Sequence, residues 1–145
     1  MLDANLDDGA DVNDATSKAL LKEVFASFMH APDDLVNPKI AELIRRINAP
    51  LSCGGSGNAQ ENLNRLIVHL NQDFPEDRGV LCPLLLNYMR LAPGEAFFMG
   101  ANEPHAYLSG DCLECMALSD NTVRAGLTPK HRDVETLLDM LHYRW

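Results

Sequence analysis

Positive charge is scarce in this sequence. Twelve Lys and Arg face twenty-one Asp and Glu, leaving a net charge of −9 at pH 7 and an isoelectric point near 4.8. That balance argues against a nucleic-acid or anionic-membrane surface, since both require basic patches. It leaves room for a small anion such as a sugar phosphate, which a few local cations can hold. Long apolar runs are lacking as well: Val80 to Leu86 is the best, and Pro83 interrupts it, so no membrane span is expected. The first ten residues are acidic, with neither a basic start nor an apolar stretch, so no secretory signal is expected. Four cysteines, at 53, 82, 112 and 115, are too few for a disulfide framework in a chain of 145 residues. A reducing cytoplasm is the expectation.

A hydrophobic fraction of 46% is that of a globular chain able to bury a core. The expected organisation is an acidic, disordered leader over residues 1–15, a helical domain over 16–75, and a strand-rich part over 76–145 closed by a helix. Leu20, Leu21, Val24, Phe25 and Phe28 recur at helical spacing. Asn37-Pro38 reads as the start of a second helix carrying Ile40, Leu43, Ile44 and Ile47. Asn58 with Glu61 opens a third, whose buried stripe is Leu63, Leu66, Ile67 and Leu70. Gly54 to Gly57 is a flexible connection without the Gly-Lys-Ser/Thr of a phosphate loop.

After Pro75 the period changes. Runs at 85–91, 96–99, 105–108, 113–118 and 122–125 have strand character, with turn residues between them, and Val134 to Leu141 reads as a closing helix. The class expected is α+β, with helices segregated from part of a barrel.

A two-residue hairpin turn at Gly110-Asp111 would set Tyr107 opposite Glu114 and His105 opposite Met116, all on one face. Ala106, Leu108, Leu113, Cys115 and Ala117 would form the other, core-facing side. His105 could be a metal ligand or a hydrogen-bonded structural residue. Tyr107 and Glu114 could be a reactive pair or a cross-strand contact. Arg124 could be a solvated charge, or could hold a phosphate or an enediolate oxygen. Asp120-Asn121 reads first as a turn. Cys112 and Cys115 have C-x-x-C spacing, but three residues along a strand the two thiols point to opposite faces. They read as reduced thiols rather than a redox pair or half a zinc site.

The segments Leu-Asn-Tyr (86–88), Pro-Gly-Glu-Ala (93–96), Ala-Asn-Glu-Pro-His-Ala-Tyr (101–107), Ser-Gly-Asp-Cys (109–112) and Asp-Asn-Thr-Val-Arg-Ala-Gly-Leu-Thr-Pro-Lys (120–130) resemble type I phosphomannose isomerases. The likeness runs from about residue 17 to 143. It implies a cupin-like (jelly-roll) β-barrel with a helical insertion, and zinc-dependent interconversion of mannose 6-phosphate and fructose 6-phosphate, in mannose and GDP-mannose metabolism. By position His105 resembles a zinc ligand. Arg124, Glu114 and Asp120 resemble catalytic positions, and Tyr107 and Lys130 substrate-binding positions. The family's other zinc ligands, a glutamine, a histidine and a glutamate, belong to a segment near an Asp-x-Asn-His-Lys-Pro-Glu motif, and this sequence contains nothing like it. His30, His69, His131 and His142 do not align with ligands. The expectations are that the chain alone binds zinc weakly and does not turn over, and that its partners are the sugar phosphate and the missing remainder of the enzyme. The competing readings are a non-catalytic cupin fragment that binds a sugar phosphate or a protein, and a thiol module at Cys112 and Cys115.

Overall fold

The computed structural model describes residues 14–49, 59–119 and 121–143. The first thirteen residues of the expected leader, Cys53, the Gly54 to Gly57 loop and Asp120 lie outside them.

Helix α1 (Ala15–His30) starts where Asp14 caps it: Oδ1 accepts from the Ser17 amide at 2.6 Å, and that bond holds the carboxyl below its ordinary value. Ala31-Pro32 ends the helix, and α2 (Asp33–Asn48) begins at once. The expected start at Asn37-Pro38 is corrected here, because Pro38 lies inside the helix. The Pro32 carbonyl already accepts from Leu35 and Val36 at 3.0 and 3.1 Å. Asp33 and Asp34 in the first turn and Arg45 and Arg46 in the last complement the helix dipole. With Val36 buried, the first turn is anchored, and the helix tolerates the one amide that Pro38 lacks. Helix α3 (Ala59–Asp73) buries Leu66, Ile67 and Leu70 on one face. A 3-10 helix (Arg78–Leu84) follows, and α4 (Val134–Met140) is capped by Asp133, which accepts from the Thr136 amide and hydroxyl.

Two apolar clusters form. In one, Val36 and Ile40 of α2 meet Leu66, Ile67 and Leu70 of α3 and the fully buried Val80. In the other, Phe25 and Met29 of α1 meet Leu137 and Leu138 of α4. Each such side chain contributes about 1.5–3 kcal/mol of transfer free energy. Arg78 joins the two. Its buried guanidinium donates to the Phe28, Met29 and Ala31 carbonyls at 3.0, 2.5 and 2.8 Å, and also to the Asp33 carboxylate. It thereby caps the end of α1 while fixing the start of α2.

The barrel expectation is overturned. Among the described residues none is in a strand, and the architecture is helical, with residues 85–119 outside any regular element and punctuated by turns and bends. The side expected to face a core is open instead: Ala106, Leu113, Cys115 and Ala117 are exposed, and Leu108 alone packs, half-buried, against the α2–α3 cluster. The physical reason is that strand pattern is not strand pairing. A lone hairpin is marginal in water unless a third strand or a packed helix covers its apolar face. Here Leu113 and Leu118 meet only solvent.

Candidate functional site

Gly110 adopts φ +103°, a left-handed value that glycine reaches without penalty, and turns the chain back on itself. The turn brings the Tyr107 hydroxyl to Glu114, to which it donates at 2.7 Å. That bond holds the Tyr107 phenol above its ordinary value, so the hydroxyl remains a donor. The His105 ring lies 5.7 Å from the Tyr107 ring, tilted by 59°. His105 Nδ1 is 2.9 Å from the Glu103 carbonyl. A carbonyl only accepts, so in the neutral ring Nδ1 carries the proton and Nε2 the lone pair. A metal-binding imidazole presents that tautomer. All three side chains are exposed. Cys112 and Cys115 are exposed, free thiols.

The second group sits on the loop before α4. Val123 and Ala125 pack on the α1–α4 cluster, and Leu127 packs on the α2–α3 cluster. Alternate residues are thereby committed to the interior, and Arg124 falls between them, half-buried. Arg124 has no hydrogen-bond or ion-pair partner among the described residues, and the same holds for the Lys130 ammonium. Lys130 lines a cavity of about 340 Å³ together with Met29, Arg78, Pro129, His131, Arg132 and Val134. In a chain of net charge −9, two cations on one short loop, neither paired among the described residues, have the chemistry to hold an anion.

The structure therefore brings His105, Tyr107 and Glu114 together and sets Arg124 and Lys130 on one loop. No hydrogen bond, ion pair or ring contact joins the two groups among the described residues, and Asp120 lies outside these. No group of three or more His, Cys, Asp or Glu among the described residues could hold a metal ion. Zinc takes three or four protein ligands, so His105 alone does not make a zinc site. No described helix is long and apolar enough to cross a membrane.

Sequence reasoning missed Asp77 and Arg78. Asp77 accepts from Gly79 and Thr128, tying the 3-10 helix to the cation-bearing loop. The available signal was a pair of charges set directly before an apolar run, where a solvated residue would be out of place.

A family model described as the type I phosphomannose isomerase helical insertion domain matches residues 2–86. Among curated proteins, a mannose-6-phosphate isomerase of Cryptococcus neoformans is 51% identical over 129 residues, covering 89% of this chain and 29% of the relative. A probable mannose-6-phosphate isomerase of Dictyostelium discoideum is 49% identical over 127 residues, 88% of this chain and 27% of that protein. The mannose-6-phosphate isomerase of Rattus norvegicus is 48% identical over 124 residues, 85% and 29% respectively. The chain thus spans less than a third of the length of these relatives.

Proposed function

We propose a function from a fact of descent: the chain belongs to the type I phosphomannose isomerase family, and its role is to supply part of the sugar-phosphate site of a mannose-6-phosphate isomerase. The observation that carries this reading is the pair of cations Arg124 and Lys130, neither with an ion-pair partner among the described residues, on a loop seated against both apolar clusters.

Interconversion of mannose 6-phosphate and fructose 6-phosphate moves a proton from C2 to C1 through a cis-enediolate, while a hydroxyl proton passes from O2 to O1. Nothing is oxidised overall. The step needs a base near C2 and positive charge near the developing oxyanion. In this reading the Arg124 guanidinium stabilises the enediolate oxygen and the Lys130 ammonium holds the phosphate. Glu114 and Asp120 are the carboxylates available for proton transfer. Tyr107 orients Glu114 through its 2.7 Å bond and offers its oxygen to a sugar hydroxyl. The family resemblance also implies zinc. The described residues do not fit that ion by themselves, since they offer His105 and no cluster, so the chemistry assigned here is that of the side chains alone.

The test is a titration of the chain with mannose 6-phosphate and, separately, with mannose, followed through backbone amide shifts. Mannose 6-phosphate should perturb Arg124 and Lys130 while mannose does not, and Arg124→Ala should weaken binding about tenfold or more. Equal responses to both sugars, or none to either, would overturn the reading.

A further inference from the structure

The loop bearing Arg124 and Lys130 meets the 3-10 helix where two glycines touch backbone to backbone. A Cβ on Gly126 would lie 2.8 Å from Gly79 Cα and 3.0 Å from Asp77 Oδ1, and a Cβ on Gly79 would lie 2.6 Å from the Leu127 amide nitrogen. Neither position has room for a side chain. Asp77 closes this contact from the side. Its Oδ1 accepts from the Gly79 amide at 2.7 Å and its Oδ2 from the Thr128 amide at 3.3 Å. Arg132 Nη1, 3.9 Å from Oδ1, faces the same carboxylate. Between Gly126 and Thr128, Leu127 is held at φ +54°, a left-handed conformation that a bulky side chain keeps only where its surroundings enforce it. Its side chain is packed against the α2–α3 cluster on one side of the joint, and the Asp77 bond to Thr128 clamps the backbone on the other.

We infer that Asp77 is a positioning residue for the sugar-phosphate site: its two carboxylate oxygens, one on Gly79 and one on Thr128, lock the loop from Arg124 to Lys130 onto the helical body. This rests on the reading of Arg124 and Lys130 given above. Both oxygens are used, so the requirement is for two acceptors and not merely for a polar side chain. An asparagine has one acceptor, and its amide would set N–H against one of the two backbone N–H groups. The charge is also placed to keep Arg132 turned toward the joint. The spacing of Arg124 and Lys130 is thus set by a residue that touches neither of them.

Two readouts on the full chain separate positioning from general damage. In Asp77→Ala, amide exchange at Gly79 and Thr128 should accelerate about tenfold or more, the scale of one lost hydrogen bond to a charged group, while Leu66 to Leu70 of α3 keep their protection. Mannose 6-phosphate affinity, read at the Lys130 amide, should fall in the order wild type, Asp77→Asn, Asp77→Ala. If Asp77→Ala does not fold, Asp77→Asn alone decides through the same two readouts. Unchanged loop protection overturns the proposal. So does wild-type affinity in a variant whose loop has loosened. Binding by the wild type that Lys130→Ala leaves untouched would sink the functional reading without touching the joint. No binding by the wild type would remove the site and, with it, Asp77's role in positioning it.

Discussion

Arg78 gives the sharpest test of how this fold is held. Truncation to alanine removes three bonds to main-chain carbonyls, those of Phe28, Met29 and Ala31, and leaves the acceptors at the end of α1 without a donor. A net hydrogen bond contributes about 1 kcal/mol, and a buried acceptor left bare costs about 1–3 kcal/mol. The Asp33 pair adds little, because that carboxylate is 63% exposed and such pairs contribute less than about 1 kcal/mol. With the part-buried Phe28 and Ala31 bonds at about 1 kcal/mol each and the buried Met29 acceptor at about 1–3 kcal/mol, the expected loss for Arg78→Ala is about 3–5 kcal/mol, a large share of the roughly 5–15 kcal/mol that stabilises a domain. Arg78→Lys, a compact charge without the planar fork, should lose about half as much. Asp33→Asn should lose less than about 1 kcal/mol. Urea unfolding followed by far-ultraviolet circular dichroism measures all three. A loss below about 1 kcal/mol for Arg78→Ala would refute the carbonyl clasp. A loss in Asp33→Asn as large as in Arg78→Ala would show that the ion pair, not the clasp, matters.

Burial, with the Asp77 charge nearby, pushes the half-buried Cys82 thiol up to about 11 from 9.0. The folded state thus favours the neutral thiol more than the unfolded state does. The stability this confers is complete below about pH 9 and is lost as pH rises from 9 to about 11. Urea midpoints should fall across that window, and Cys82→Ala should flatten the fall; equal slopes in both proteins would contradict the assignment. At pH 8 a thiol reagent should modify the exposed Cys112 and Cys115 well before Cys82. Zinc titration should show no tight stoichiometric site in this chain, in line with the absence of a three-ligand cluster among the described residues. Tight binding that survives His105→Ala would place the ligands elsewhere.

The helices were legible because burial imposes a 3.6-residue period that survives in the sequence: Leu66, Ile67 and Leu70 are where the stripe said. The start of α2 was misread because Asn37-Pro38 looks like a cap. Two acidic residues and the anchored Val36 had already begun the helix four residues earlier. The alternation over 105–118 gave the Gly110 turn and the Tyr107–Glu114 contact, both local. It could not give a sheet, since pairing depends on partners that a single segment does not contain. Arg78 and Asp77 stood out only as charges before an apolar run, and their partners were not legible for a related reason. The carbonyls of Arg78 lie 47–50 residues away, and the Thr128 amide lies 51 residues from Asp77. No local pattern records such distances.

In the proposed reading this segment does, through Arg124, what the matching segment of a mannose-6-phosphate isomerase does. A segment exchange measures it directly. The 129 residues of the Cryptococcus neoformans relative that align at 51% identity would be replaced by the corresponding residues of this chain, and conversion of fructose 6-phosphate assayed in the zinc-supplemented chimera. The expectation is turnover in the folded chimera and a loss of about 10²–10³-fold on Arg124→Ala, the scale of removing one donor from a developing oxyanion. A folded chimera that does not isomerise, or one that keeps full turnover without Arg124, would show that the segment does not play this part.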